Sequence, residues 1–296
     1  MRLGTRQWIQ VVSSMLLAIW IFWFLYKDVS VQQLWAMLAQ TSYFWLGSSL
    51  LLGIAGYWLR AWRWKLLIEA GQQDTVSTGR AFSALMIGYL TNLLIPRAGE
   101  LSRCGVLAKT DEIQMGKLLG TVVLERTIDI LLLVLTIFVA FLWERETFVR
   151  LFGQLFNVEA ISANLGTILP IAFAGIFVAA LLLYMLLTKY RQHSLVTKVR
   201  HFLREFMAGI LSARRVENQW AFWGSSIGIW ILYYLMMVLV AWAFPATASL
   251  AYSSILIVMV MGSIGMVAPV QGGIGTFHAL VAFILMVYGL GEEEGK

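Results

Sequence analysis

The chain has 296 residues, of which 60% are hydrophobic and 13% charged, with a net charge of +6 and a mean hydropathy of +0.78. Apolar stretches of 19–26 residues recur along it, which excludes an ordinary soluble domain and indicates an integral membrane protein. A single cysteine, Cys104, excludes an internal disulfide framework, and His193, His201 and His278 lack metal-ligand spacing, so neither metal nor cofactor is expected.

In chain order, the apolar pattern predicts spans at Trp8–Tyr26, Tyr43–Trp64, Leu118–Trp143, Leu165–Thr188 and Trp220–Phe244. Arg2 and Arg6 precede the first, but no small-residue cleavage site follows it, so it reads as a retained anchor. A sixth apolar region, Leu250–Leu290, is interrupted by "APVQGGIGTFH". Amphipathic segments around Val31–Leu38, Phe148–Phe156 and Leu195–Ile210 suit either the membrane surface or packing on the bundle. The last of these carries Lys198, Arg200 and Arg204.

With the N-terminus in the cytoplasm, seventeen Lys and Arg fall on the cytoplasmic side, Arg60, Arg63 and Arg103 among them, against Lys27, Arg145 and Arg150 outside. The positive-inside rule selects that orientation. Most of the positive charge is then topological, and nucleic acid is not an expected partner. The run Ala81–Ile95 is fifteen residues long, about 22 Å as a helix and too short for a hydrocarbon core of about 30 Å. Basic residues flank it on both sides, so segment 81–108 is expected to enter from the cytoplasm, turn at Pro96–Gly99 and return. Such backbone survives in a membrane only when buried in protein or lining a wet cavity.

Two pairs of motifs suggest an internal repeat. Gly47-Ser48-Ser49 and Gly224-Ser225-Ser226 are 177 residues apart, and Pro96-x-x-Gly99 and Pro269-x-x-Gly272 are 173 apart. The expected architecture is all-α and polytopic, with inverted repeats of a transmembrane helix plus a re-entrant helical hairpin. The halves would be about 43–143 and 220–296 of a single membrane domain. Pro96, Gly99, Pro269, Gly272, Gly273 and Gly275 are the expected turn residues. The same offset predicts a counterpart of the third span at about 291–316, so the chain as given would lack its last crossing, with "GLGEEEGK" leading towards it.

"VLERTIDILLL" places Glu125, Arg126 and Asp129 inside the third span, at about 2.5–3.5 kcal/mol each near the centre of a bilayer. They must face a polar interior, where Arg97, Arg103 and Arg126 are the cations available to Glu100, Glu125 and Asp129. Two readings stand: an ion-pair latch between hairpin and span, or carboxylates holding arginines for an anionic headgroup, whose phosphate suits the guanidinium fork. Catalytic vocabulary is thin: "GGIG" at 272–275 lacks a following Lys-Ser/Thr, and no Gly-x-Ser-x-Gly, His-Glu-x-x-His or Cys-His pair is present. The chain therefore does not read as an enzyme.

The order "WLRAWRWKLLI", "NLLIPRAGELSR", "VVLERTID" and "PVQGGIG" resembles the lysylphosphatidylglycerol synthase transmembrane-region family over about residues 8–290. The resemblance implies a stand-alone, flippase-like domain of a bacterial inner membrane. It also implies that Asn92, Arg97, Glu100, Arg103, Glu125, Arg126 and Asp129 form a polar cavity. The implied partners are membrane lipids, either an anionic phospholipid or a lipid-linked phosphate such as a polyprenyl carrier. The alternative is an accessory subunit that presents a lipid to a separate transferase.

Overall fold

A computed structural model describes Trp35, Gly273 and residues 38–70, 75–95, 98–147, 216–267 and 275–290. The expected spans Trp8–Tyr26 and Leu165–Thr188, the segment 195–210, most of 31–38 and all of 148–156 lie outside these residues. So do Pro96, Arg97, Pro269, Gly272 and the tail 291–296. The described residues form seven helices and no strand: α1 (Tyr43–Glu69), α2 (Thr78–Leu94), α3 (Gly99–Thr110), α4 (Met115–Trp143), α5 (Gln219–Ala243), α6 (Tyr252–Val267) and α7 (Thr276–Val287).

The boundaries have local causes. Ser77 caps α2, its side chain accepting from the Arg80 amide, and Asn218 does the same for α5 through Ala221. α2 ends at Ile95, whose φ of −132° and ψ of 111° are what a following proline imposes. α1 runs five residues beyond the expected Trp64 because Ile68 is buried with Leu85 and Leu107, and Leu67 with Leu124 and Phe222. α5, 25 residues long, is a clear apolar span. α1 and α4, at 27 and 29 residues, are longer still but carry charges.

α1 and α5 pack antiparallel. The Ser42 amide donates to the Ala243 carbonyl at 2.8 Å, and the Trp45 and Trp242 rings meet edge to face at 5.0 Å. Further along, Gly53 faces Met236 and Gly228 faces Leu59, and a Cβ added to either glycine would stand 3.1 Å from the facing side chain. Small residues at these crossings let the two backbones approach, as in membrane helix pairs.

α2 and α3 form an antiparallel hairpin. A Cβ on Gly88 would stand 2.9 Å from the Gly99 carbonyl oxygen, and one on Gly99 would collide with the Gly88 carbonyl. Thr91 Oγ1 donates to Ser102 Oγ at 3.0 Å, and Arg80 pairs with Asp111 at 2.6 Å across the open end. α6 and α7 form a second hairpin, in which Gly262 and Gly265 lie against Phe277 and Thr276 Oγ1 donates to the Gly265 carbonyl at 2.7 Å. Gly273 and Gly275 take φ of 73° and 90° at its turn, a conformation that side chains disfavour. α4 bridges the two hairpins. Its N-terminal half joins Leu118 and Val122 to a core with Trp64, Leu85 and Leu107, while Ala140 joins Leu256 and Ile284. At its far end Glu144 accepts from Ser253 and Ser254 of α6 at 2.5 and 3.1 Å.

The distribution of polarity is that of a membrane domain. Leu50, Ile54, Leu131 and Phe138 are exposed, whereas Arg63, Arg103 and Glu125 are buried.

Candidate functional site

Glu125 sits ten residues into α4 with no exposed side-chain surface, where an unpaired carboxylate would be severely destabilising. Four guanidinium groups surround it. Arg60 Nε donates to Glu125 Oε1 at 2.9 Å, and Arg103 Nη2 donates to Oε2 at 2.9 Å. Arg63 Nη2 and Arg126 Nη2 lie 3.4 and 3.5 Å from Oε1. One turn on, Asp129 receives Arg60 Nη2 at 3.1 Å and Arg63 Nη2 at 2.8 Å. Glu100, in the first turn of α3, lies 3.5 Å from Arg126 Nε at the rim, where both side chains are partly exposed.

The elements set this geometry. Arg60 and Arg63 are i and i+3 on α1, Glu125 and Asp129 are i and i+4 on α4, and each pair shares a helix face. The two faces meet as a ladder of opposite charges. Arg103 reaches in from α3, its guanidinium carbon 4.5 Å from the centre of the Trp64 ring. Trp64 is held in turn by its Nε1 donating to Thr121 Oγ1 at 2.9 Å. From α5, the Tyr233 hydroxyl accepts from Arg60 Nη1 at 3.1 Å.

Of the residues expected at the site, Glu100, Arg103, Glu125, Arg126 and Asp129 come together here. Asn92 stands beside them and closes the hairpin at the start of α3, its Oδ1 accepting from the Gly99 amide at 2.7 Å. Arg97 lies outside the described residues. The contacts of Gly273 and Thr276 at the second turn run back to α6, to Met266 and Gly265. His278 Nδ1 accepts from the Gly275 amide at 3.4 Å.

Arg60 and Arg63 correct the sequence reading. They were expected as cytoplasmic topology charges, but their side chains are 10% and 1% exposed and belong to the cluster. The matching spacing of Arg60/Arg63 and Glu125/Asp129 is the signal that could have found them. Tyr89 and Tyr233, which also reach the cluster region, carried no sequence signal.

The cluster holds four arginines and three carboxylates, and several donors have no hydrogen-bond partner among the described residues: Nε and Nη1 of both Arg63 and Arg103, and Nε of Arg126. The larger described cavity, about 730 Å3, is an apolar groove on the opposite face of α1 lined by Leu51, Ile54, Trp58 and Trp62. With no charged lining it offers no polar chemistry, so the cluster is the candidate site. Among the described residues no group of histidine, cysteine and carboxylate side chains could hold a metal.

No curated protein and no solved structure matches the chain. The family described as lysylphosphatidylglycerol synthase TM region matches residues 10–296. With an all-helical fold, apolar outer faces and charges gathered inside, the chain belongs to the lysylphosphatidylglycerol synthase TM region family, and is a membrane domain of a family related to lipid handling.

Proposed function

We propose that this protein takes the headgroup of an anionic phospholipid or lipid-linked phosphate into the arginine cluster and moves it between leaflets. The observation that carries the reading is the charge of the site. Four arginines face three carboxylates (a net of +1), and several buried guanidinium donors have no hydrogen-bond partner among the described residues. A phosphate oxygen satisfies such donors, and the arginine fork matches its geometry. The carboxylates fix the arginines in place and lower the cost of burying them. Among the described residues of the cluster no nucleophile stands beside a base, and the proposed role is binding and transfer.

The domain is read as two inverted halves in a bacterial inner membrane, with a cytoplasmic N-terminus. Three observations support this. α1 and α5, which carry the two Gly-Ser-Ser triplets, run antiparallel. Each is followed by a helical hairpin too short to span as a pair of full crossings. In both hairpins a glycine of the first helix meets the residue fifteen positions later, Gly88 with Arg103 and Gly262 with Phe277, and these pairs are themselves 174 residues apart. Re-entrant hairpins approaching the midplane from opposite faces would place a binding site between repeats, as in many transporters.

The second reading, an accessory subunit presenting lipid to a separate transferase, uses the same cluster without transfer. Purified protein in liposomes containing tail-labelled phosphatidylglycerol separates them. A membrane-impermeant reductant should reach all the label if the protein transfers lipid, and only the outer-leaflet label if it does not. No acceleration over protein-free liposomes, for phosphatidylglycerol or for a polyprenyl phosphate, rejects the transfer reading.

A further inference from the structure

We propose that the Tyr89 hydroxyl, with the unpartnered edge of Arg103, forms a seat for a single phosphate oxygen, and that Tyr89 is a specificity-determining residue. This rests on the reading of the arginine cluster as an anion site.

A cavity of about 20 Å3 lies between the first hairpin and α4, lined by Tyr89, Asn92, Glu100, Arg103 and Arg126. That volume is enough for one oxygen-sized atom. The groups facing it are mostly committed elsewhere. Asn92 Oδ1 holds the Gly99 amide, and Glu100 lies against Arg126 at the rim. Arg103 is 2% exposed and gives Nη2 to Glu125, which leaves Nε and Nη1 without hydrogen-bond partners among the described residues. The Tyr89 hydroxyl is buried and also has no hydrogen-bond partner among the described residues.

These groups are donors. A guanidinium cannot accept, and a phenol hydroxyl donates readily to an anionic oxygen. A buried donor left unmade is costly, so a site that gathers several is suited to an acceptor. The rim is open at Arg126 and Glu100, whose side chains are 43% and 33% exposed. A headgroup arriving there keeps most of its phosphate in the mouth and inserts one oxygen between Tyr89 and Arg103. The bland alternative is a core tyrosine packed against Tyr57, whose ring lies 5.0 Å away at a tilt of 49°.

Removing only the hydroxyl separates the two. Wild type, Tyr89→Phe, Arg126→Gln and the control Tyr57→Phe are purified in detergent and compared for thermal stability without added lipid. Binding of short-chain phosphatidylglycerol and of inorganic phosphate is then titrated. The seat predicts unchanged or higher stability for Tyr89→Phe with about ten-fold weaker binding, the worth of one charge-assisted hydrogen bond. Tyr57→Phe should match wild type. Weakening for phosphatidylglycerol alone identifies a lipid-borne phosphate, and equal weakening for inorganic phosphate identifies a seat for either source. If Arg126→Gln weakens binding while Tyr89→Phe binds like wild type, the seat is wrong and the anion site stands. A loss of stability in Tyr89→Phe without ligand makes the hydroxyl structural and also overturns the seat. Wild-type protein that binds neither probe overturns the anion reading and the seat with it.

Discussion

Glu125 is the residue on which the cluster depends. Its carboxylate lies within 3.5 Å of four guanidinium groups, so Glu125→Ala leaves positive charges facing one another in a low-dielectric interior. Breaking a buried network from one side costs about 3–5 kcal/mol, and thermal unfolding in detergent should show a loss of that order. A variant as stable as wild type would mean that water reaches the site freely. Asp111, at the open end of the first hairpin, is governed by a smaller balance. Partial burial pushes its carboxyl pKa up, but bonds from Thr110 and Arg80 and the Arg80 charge outweigh that and leave it below the usual value. A depressed folded-state pKa stabilises above the unfolded pKa, about 3.9, and the contribution is lost as pH falls through the folded value. Wild type should therefore lose more stability than Asp111→Asn on acidification below about pH 4, with parallel curves counting against the bond. At this scale the sequence was informative for acids and poor for bases. Glu125 and Asp129 stand out in an apolar run, whereas Arg60 and Arg63 stand at the end of one, where interfacial positive charge is ordinary.

The first hairpin owes its shape to two glycines and one asparagine. A side chain on Gly99 meets both the Gly88 carbonyl and Asn92, whose Nδ2 would be 2.5 Å away, so the helices must separate to admit it. Gly99→Ala should cost about 1–3 kcal/mol, the usual range for overpacking, and should also loosen Arg103 from Glu125. Gly105→Ala on the same helix, where a Cβ meets nothing within 4 Å, is the internal comparison. Equal stability of the two variants would contradict the close crossing. The breaks at Ile95 and after Val267 were legible because proline and glycine interrupt apolar runs. Pairing across the bundle was not: Trp45 with Trp242, or Gly228 with Leu59, depends on how helices far apart in sequence face one another.

At the scale of the molecule, the proposed function needs an orientation, a repeat and a site together. Orientation is tested by placing single cysteines at Lys27 and Glu293 in a Cys104→Ser background and labelling intact cells with an impermeant reagent. Both should react if the second hairpin re-enters from outside; reaction at Lys27 alone puts residue 293 in the cytoplasm and breaks the inverted repeat. The site has a sharper test, because a latch and an anion site differ in what they retain. Arg126 and Glu100 form the half-exposed pair at the rim, and replacing both with glutamine removes one charge of each sign. The buried pairs of Glu125 and Asp129 with Arg60, Arg63 and Arg103 are left in place. The exposed pair contributes roughly 0–1 kcal/mol, and Glu125 keeps three of its four guanidinium neighbours, so the double variant should fold. Mass spectrometry of lipids co-purifying with wild type and with this variant is the direct measurement. Wild type should retain anionic lipid above its share of the membrane and the double variant should lose that enrichment, whereas equal enrichment in both, or none in wild type, would contradict headgroup binding at the cluster.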